Sequence, residues 1–401
     1  MLKKFLLILF FLILPFYQTI SQIKIVESVP VETILTESGL ARPYDEWLDM
    51  INNANRTIDI EVFYFANKQG EPLEDIINAL ISAGKRGVKI RIIVDKSFVE
   101  KNENSIEEIR GKKNISIRKI DIKSITGGVM HSKHFIVDNS EIFLGSQNFE
   151  WRALKHIHEM GIRVKDKNLA KLFSNIFNMD WKLCAKHDNS TISKLREKYS
   201  VKVNKKNPLL INTSEFGKVR LFPTVSPESL TPEGYSDELE ELLDIIDNAK
   251  SKLRIQVMTY SLKNEFYKID RALRNAADRG VDVKIIFANW TIKKETIEDI
   301  KSLSQVKNIE IKFSSIPEYS MGYIPYSRVD HSKYLIADDE ISRISTSNWE
   351  HGYFENTRNM SLIIYNKEIN KLLERVFYNS WNSSLTEKVE PSKEYKAVKR
   401  N

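Results

Sequence analysis

The chain has 401 residues, 42% hydrophobic and 29% charged, with a formal net charge of +7. That length allows two ordinary domains, and the composition excludes wholesale disorder. A single cysteine, Cys184, excludes an internal disulfide and a zinc-thiolate site, while the positive balance suits an anionic substrate without identifying one.

Residues 1–21 read as an export signal. Lys3 and Lys4 precede the apolar run Phe5–Phe16, and Thr19 and Ser21 are small residues before a cut after Ser21. The run is shorter than the roughly 20 apolar residues of a membrane span. The expectation is a secreted or periplasmic protein, with an uncleaved signal anchor as the alternative.

Residues 22–196 form the first expected unit. A helix near Tyr44–Asn53 leads into a strand at Ile58–Phe65. A second helix, Leu73–Lys85, ends at Arg86-Gly87 and is followed by the apolar strand Val88–Val94. Cys184 closes a helical pattern behind Trp181 and Leu183, which suits a structural thiol better than a nucleophile. Residues 197–234 read as a linker. They are Lys-rich at Lys202–Asn207, then carry Pro223, Pro227, Pro232 and Gly234, with a short strand near Val219–Phe222. The second unit spans 235–385, and the Lys/Glu-rich tail 386–401 reads as frayed.

The two units are copies. Ile51-Asn-Asn-Ala54 matches Ile246-Asp-Asn-Ala249, and Arg86-Gly-Val88 matches Arg279-Gly-Val281. His131-Ser-Lys133 matches His331-Ser-Lys333, and Ser146-x-Asn148 matches Thr346-x-Asn348. Several blocks in one order imply an internal duplication. The fold class is therefore α/β: two tandem repeats, each a mixed sheet flanked by helices, with one site at their pseudo-two-fold interface. Strands apolar on both faces, such as Ile90–Val94 and Val283–Phe287, predict sheets covered on both sides.

Each unit carries His-x-Lys-x4-Asp: His131, Lys133 and Asp138, then His331, Lys333 and Asp338. On a strand, the period of two puts the histidine and lysine on one face. A lysine neutralises a phosphate, and an imidazole attacks phosphorus or donates a proton. Two facing copies supply a nucleophile and an acid for a two-step phosphodiester displacement. Gly145-Ser-Gln-Asn148 and Ser345-Thr-Ser-Asn348 add hydroxyl and amide donors, among them Ser146, Thr346, Asn148 and Asn348. His134, His156, His158, His187 and His351 lack that context and read as surface or packing histidines.

These paired motifs resemble the signature of the phospholipase D superfamily. Further residues resemble its branch of animal lysosomal single-stranded nucleic-acid 5′-exonucleases and poxviral relatives. They are Gly127-Gly-Val-Met-His131, Trp151-Arg-Ala-Leu154, Glu159-Met-Gly161, Ser226-Pro227, Ala288-Asn-Trp290, Ile324-Pro-Tyr-Ser-Arg-Val-Asp-His331 and Thr346-Ser-Asn-Trp349. The resemblance implies that His131 and His331 are catalytic, that Lys133, Lys333, Asn148 and Asn348 bind phosphate, and that Asp138 and Asp338 are structural. It also implies an acidic residue behind the first histidine, here Glu159, whose counterpart in the second unit is the uncharged Asn359. That asymmetry makes His131 the expected nucleophile and His331 the acid. The competing reading is that Glu159 is a surface charge and Glu355 serves the second unit. No metal cluster is evident and no cofactor is expected, since the resemblance implies that lysines replace a metal. The animal relatives carry disulfides and a membrane anchor, which this chain's single cysteine and signal-like start do not match. Ser345 stands where the family commonly has glycine.

Two substrate classes remain. A 5′-exonuclease on single-stranded DNA or RNA fits the branch, the charge, and aromatics near the motifs: Phe149, Trp151, Tyr323, Tyr326, Trp349 and Tyr353. Core packing is the competing reading of Trp151 and Trp349. A phospholipase D or transphosphatidylase acting on membrane phospholipid uses the same intermediate. No obligatory protein partner is evident.

Overall fold

The computed structural model describes residues 20–35, 40–99 and 104–400. The apolar run read as a signal lies outside them. Among the described residues no helix is long and apolar enough to cross a membrane.

Each repeat builds one mixed sheet in the same order. The first runs Gln22–Ser28, Glu159–Lys165, Glu141–Gly145, His134–Val137, Thr57–Val62, Lys89–Asp95, Ile115–Ile120. The last three strands are parallel and the other pairings antiparallel. The second sheet repeats this order from Gly217–Ser226 through Asn359–Tyr365, Ile341–Ser345, Lys333–Ala337, Lys252–Val257, Asp282–Ala288 and Ile309–Ser314. It adds Leu209–Thr213 at one edge and Thr386–Lys388 at the other. Matching strand orders are what a duplicated β-α-β sequence must give. The crossover helices Leu73–Arg86 and Lys268–Asp278 correspond. Behind them Gly87 at φ 105° and Gly280 at φ 92° turn the chain in the left-handed region, which favours glycine.

The sheets share one core. Ile142, Leu144, Met160 and Ile162 of the first pack with Ile344, Met360, Leu362 and Ile364 of the second. Each sheet's other face has its own apolar layer, centred on Trp47 in the first repeat and on Tyr260 and Phe287 in the second. Every residue of the His134–Val137 and Lys333–Ala337 strands is buried, as strands apolar on both faces require.

Two segments differ from their sequence reading. The stretch read as a linker holds a helix end, the Leu209–Thr213 strand, and the ten-residue strand Gly217–Ser226, which pairs with Asn359–Tyr365 from Arg220 onward. Pro223 is tolerated there because the Leu209–Thr213 strand stops opposite Leu221 and the next bridge on that side starts at Thr224. The tail read as frayed is ordered: Thr386–Lys388 pairs with Ile309–Ser314, and the Tyr395 ring meets Phe313 edge-on at 5.2 Å. Pairing and ring burial outweigh the polar composition that suggested fraying.

Candidate active site

Both motif histidines lie just before their strands and open into one cleft of about 710 Å³. Lys133 and Lys333 are buried, and each folds its ammonium back onto the carbonyl of its own histidine, at 2.7 and 2.6 Å. Burial pulls the Lys333 ammonium down to about 7. Burial and the charge of Lys333 pull Lys133 well below the usual lysine range. Burial first, and then the two lysines, also lower both imidazoles well below an ordinary histidine. An arriving phosphate relieves that repulsion and favours the charged form of both lysines.

The partners of the histidines are crossed between the repeats. His331 Nδ1 lies 2.6 Å from Glu159 Oε1, and His131 Nδ1 lies 3.1 Å from Asn359 Oδ1. This corrects the placement of Glu159 behind His131. The cause is backbone pairing across the pseudo-two-fold. His158 and Asp330 form a parallel bridge, as do Met130 and Arg358. The His331 N–H donates to His158 O at 2.8 Å, and the His131 N–H to Arg358 O at 2.9 Å. The residue after His158 therefore faces His331, and the residue after Arg358 faces His131. Glu159 is fully buried, so it is no surface charge. Glu355 is exposed and pairs with Lys268, so it serves neither histidine.

The other motif residues divide by task. Asp138 and Asp338 cap the strand starts: Asp138 accepts the backbone N–H groups of Asn55, Arg56 and Thr57, and Asp338 those of Lys250, Ser251 and Lys252. Ser146 Oγ accepts Met160 N–H at 3.1 Å, and Thr346 Oγ1 accepts Met360 N–H at 3.2 Å, tying each turn to the strand behind it. Thr346 also donates to Asn359 Oδ1 at 2.8 Å, and Asn359 Nδ2 donates to Tyr353 O at 2.8 Å, which fixes the amide's orientation. Asn148 and Asn348 are buried with side-chain oxygens that lack a hydrogen-bond partner, and Asn148 lines the cleft. Gly145 has no room for a side chain, since an added Cβ would sit 2.8 Å from Gly161 Cα. Its counterpart Ser345 instead donates to the buried Glu238 at 2.8 Å.

The sequence reading missed the cleft walls. Phe63, Tyr64, Phe98, Met258 and Trp290 line the cleft, and each lies just past the C-terminal end of a parallel strand. Ligand crevices form at such ends, and an aromatic following an apolar strand was the signal available. The Phe63 ring lies 5.4 Å from His131 and 4.5 Å from Phe98. Of the six aromatics singled out, Phe149, Trp151 and Trp349 are buried in the packing, Tyr353 stands edge-on to His131 at 5.0 Å, and Tyr326 lines the cleft. Tyr323 is 39% exposed.

His158 is not an ordinary packing histidine. It is fully buried, with Nε2 3.1 Å from Glu27 and Nδ1 3.3 Å from Asp330. Both ring nitrogens face carboxylates, so the ring is an imidazolium. His134 and His156 are buried packing residues, and burial pushes the half-buried Cys184 thiol up to about 12, out of nucleophile range. Among the described residues no cluster of His, Cys, Asp and Glu could hold a metal ion.

The family model described as "Cardiolipin synthase, PLD-like domain" matches twice, over residues 47–181 and 242–381. The chain is 30% identical over 390 residues to Phospholipase D Z of Dictyostelium discoideum, covering 90% of this chain and 89% of that protein. It is 32% identical over 380 residues to the Virion nicking-joining enzyme of Vaccinia virus (strain Western Reserve), covering 90% and 87%. It is 29% identical over 396 residues to the 5'-3' exonuclease PLD3 of Xenopus laevis, covering 90% and 79%.

Proposed function

The chain belongs to the phospholipase D superfamily and is a phosphodiesterase, and from that premise we propose that it is an exonuclease on single-stranded nucleic acid working through a covalent phosphohistidine. The observation that carries the substrate reading is the cleft wall. Phe63, Tyr64, Phe98, Trp290 and Tyr326 line it together with Arg152, beside the aliphatic Ile157, Met258 and Val329. Aromatic faces take bases by stacking, and cations take the phosphates between them. One relative named above is called a 5'-3' exonuclease and another a nicking-joining enzyme, and each match covers 90% of this chain. Turnover of membrane phospholipid is the second reading, supported by the Dictyostelium relative's name.

With the contacts crossed, the proposal gives the histidines the opposite roles to those expected from the sequence. His331 Nδ1–H donates to Glu159, which leaves Nε2 free to attack phosphorus. As the P–N bond forms the ring gains positive charge, and the carboxylate stabilises it. His131 rests against a neutral amide oxygen, so its imidazolium is the stronger acid. The phosphodiester anion offsets Lys133 and Lys333 and lets His131 hold the proton that passes to the leaving oxygen as the P–O bond breaks. Neutral His131 then takes a proton from water, the hydroxide displaces His331, and the enzyme is restored.

The purified protein is to be assayed on a 5′-labelled single-stranded oligonucleotide and on phosphatidylcholine and phosphatidylglycerol vesicles, with His131→Ala and His331→Ala as controls. Nucleotide release that both substitutions abolish supports the reading; lipid turnover without nucleotide release overturns it. Enzyme denatured in alkaline detergent, where a P–N bond survives, should carry label in His131→Ala and none in His331→Ala, and the opposite pattern restores His131 as nucleophile. Export is part of the proposal and rests on Lys3, Lys4 and the apolar run after them. Protein found only inside the cell, with Met1 still present, would refute it.

A further inference from the structure

The C-terminal residues reach the mouth of the cleft. Val398 packs on Ile157, Trp290 and Val329, three residues of the cleft wall. Arg400 O accepts the Tyr326 N–H at 2.7 Å. The Arg400 guanidinium donates to Trp290 O and lies 5.4 Å from the centre of the Trp290 ring. Next to it, the exposed Lys399 holds its ammonium 4.6 Å from the Tyr323 ring. Tyr326 is 50% exposed and Tyr323 39% exposed. The tail thus brings Lys399 against Tyr323 of the loop that leads into His331, and Arg400 against Trp290 of the cleft wall.

We propose that Tyr326, Tyr323, Lys399 and Arg400 form a ledge that carries a single strand of nucleic acid beyond the reacting phosphate. This rests on the nuclease reading and extends it from the scissile bond to the rest of the strand. Half-exposed aromatic faces suit successive bases, and cations beside them suit the phosphates between. A single phospholipid headgroup has one phosphate, which the two motif lysines already take. A repeating polyanion gives the additional cations something to bind. The ledge ties substrate length to affinity: a strand of a few nucleotides ends inside the cleft, and a longer one reaches Lys399.

The test measures binding of oligothymidylates of about four and about sixteen nucleotides to the full chain carrying His331→Ala, with and without the ledge residues, over a range of salt. Tyr326→Ala should weaken the longer strand about tenfold and the shorter one less than about twofold. Lys399→Gln should lower the slope of log affinity against log salt by about 0.7, the value for one phosphate contact on a single strand. Arg400→Gln also removes a bond to Trp290, so the exposed Lys399 decides the result. If the enzyme with His331 intact cleaves the strand while Lys399→Gln and Tyr326→Ala change neither length dependence nor salt slope, the ledge is wrong and the nuclease reading stands. If that enzyme cleaves no oligonucleotide, both fall together.

Discussion

Two buried side chains, Glu159 and His158, adjoin in sequence and set the state of one catalytic imidazole. Burial pushes the Glu159 carboxyl well above the usual range, against the charges of Lys333 and Lys133. Glu159→Gln keeps the shape and removes the charge that stabilises a cationic His331. The expected result is a loss of about 10²–10⁴-fold in kcat, with KM for a short strand changed far less, checked by steady-state kinetics. His158 works through the backbone. Burial alone would lower its imidazole, but Asp330 and Glu27 outweigh that and push it up to about 10 from 6.5. The folded-state value lies above the unfolded one, so the stabilisation is complete below about 6.5 and is lost as pH climbs through about 10. Gln256 and Tyr334 extend the same network, and Glu159 and Lys333 lie beside it. His158→Gln should cost about 3–5 kcal/mol, because it leaves the buried Asp330 without a paired cation and leaves Glu27 with Arg42 alone. Thermal melts from pH 6 to pH 10 should show the wild type losing its advantage over the variant at the alkaline end. A constant gap across that range would contradict the assignment.

At the scale of elements, each motif strand is held by the aspartate that ends it. Asp138 at φ 54° and Asp338 at φ 50° turn out of the strand and gather backbone N–H groups from the start of the neighbouring strand. Asp138→Ala should therefore destabilise the fold by about 1–3 kcal/mol through those unpaired donors, read as a lower unfolding midpoint. An unchanged midpoint would mean that water replaces the carboxylate at no cost. Elements were legible where periodicity or punctuation was strong. The glycine ending the Leu73–Arg86 helix and the apolar Lys89–Asp95 strand stood out for that reason. Of the strand Gly217–Ser226 only the part near Val219–Phe222 was legible, since Pro223 argued against more and only the neighbouring ladder shows why proline is harmless there. The ordered tail was missed for a related reason: its polar sequence carries no sign of the strand edge it joins.

In the whole molecule, the two repeats meet at one cleft lined by both motif histidines. Each histidine takes its hydrogen-bond partner and its backbone acceptor from the opposite repeat. His131→Ala and His331→Ala remove two parts of one reaction, so their effects should not multiply. The double variant should lie within about tenfold of the weaker single variant, as measured by turnover of the labelled oligonucleotide. Multiplicative losses would point to two independent sites. By itself the sequence determined the duplication and the superfamily, and it singled out the histidines, lysines and aspartates proposed for the site. Those choices follow from residue identity, from short spacings, and from the same blocks recurring in one order along the chain. The tertiary structure decided which carboxylate backs which histidine, what lines the cleft, and where the tail goes. Those contacts join residues 172 and 228 positions apart. Strand and helix periods say which residues share a face of one element, and nothing about how two copies of that element dock. Glu159 was recognisable as a partner, but its histidine was fixed only when the sheets packed on a common core and crossed their backbones at His158 and Arg358.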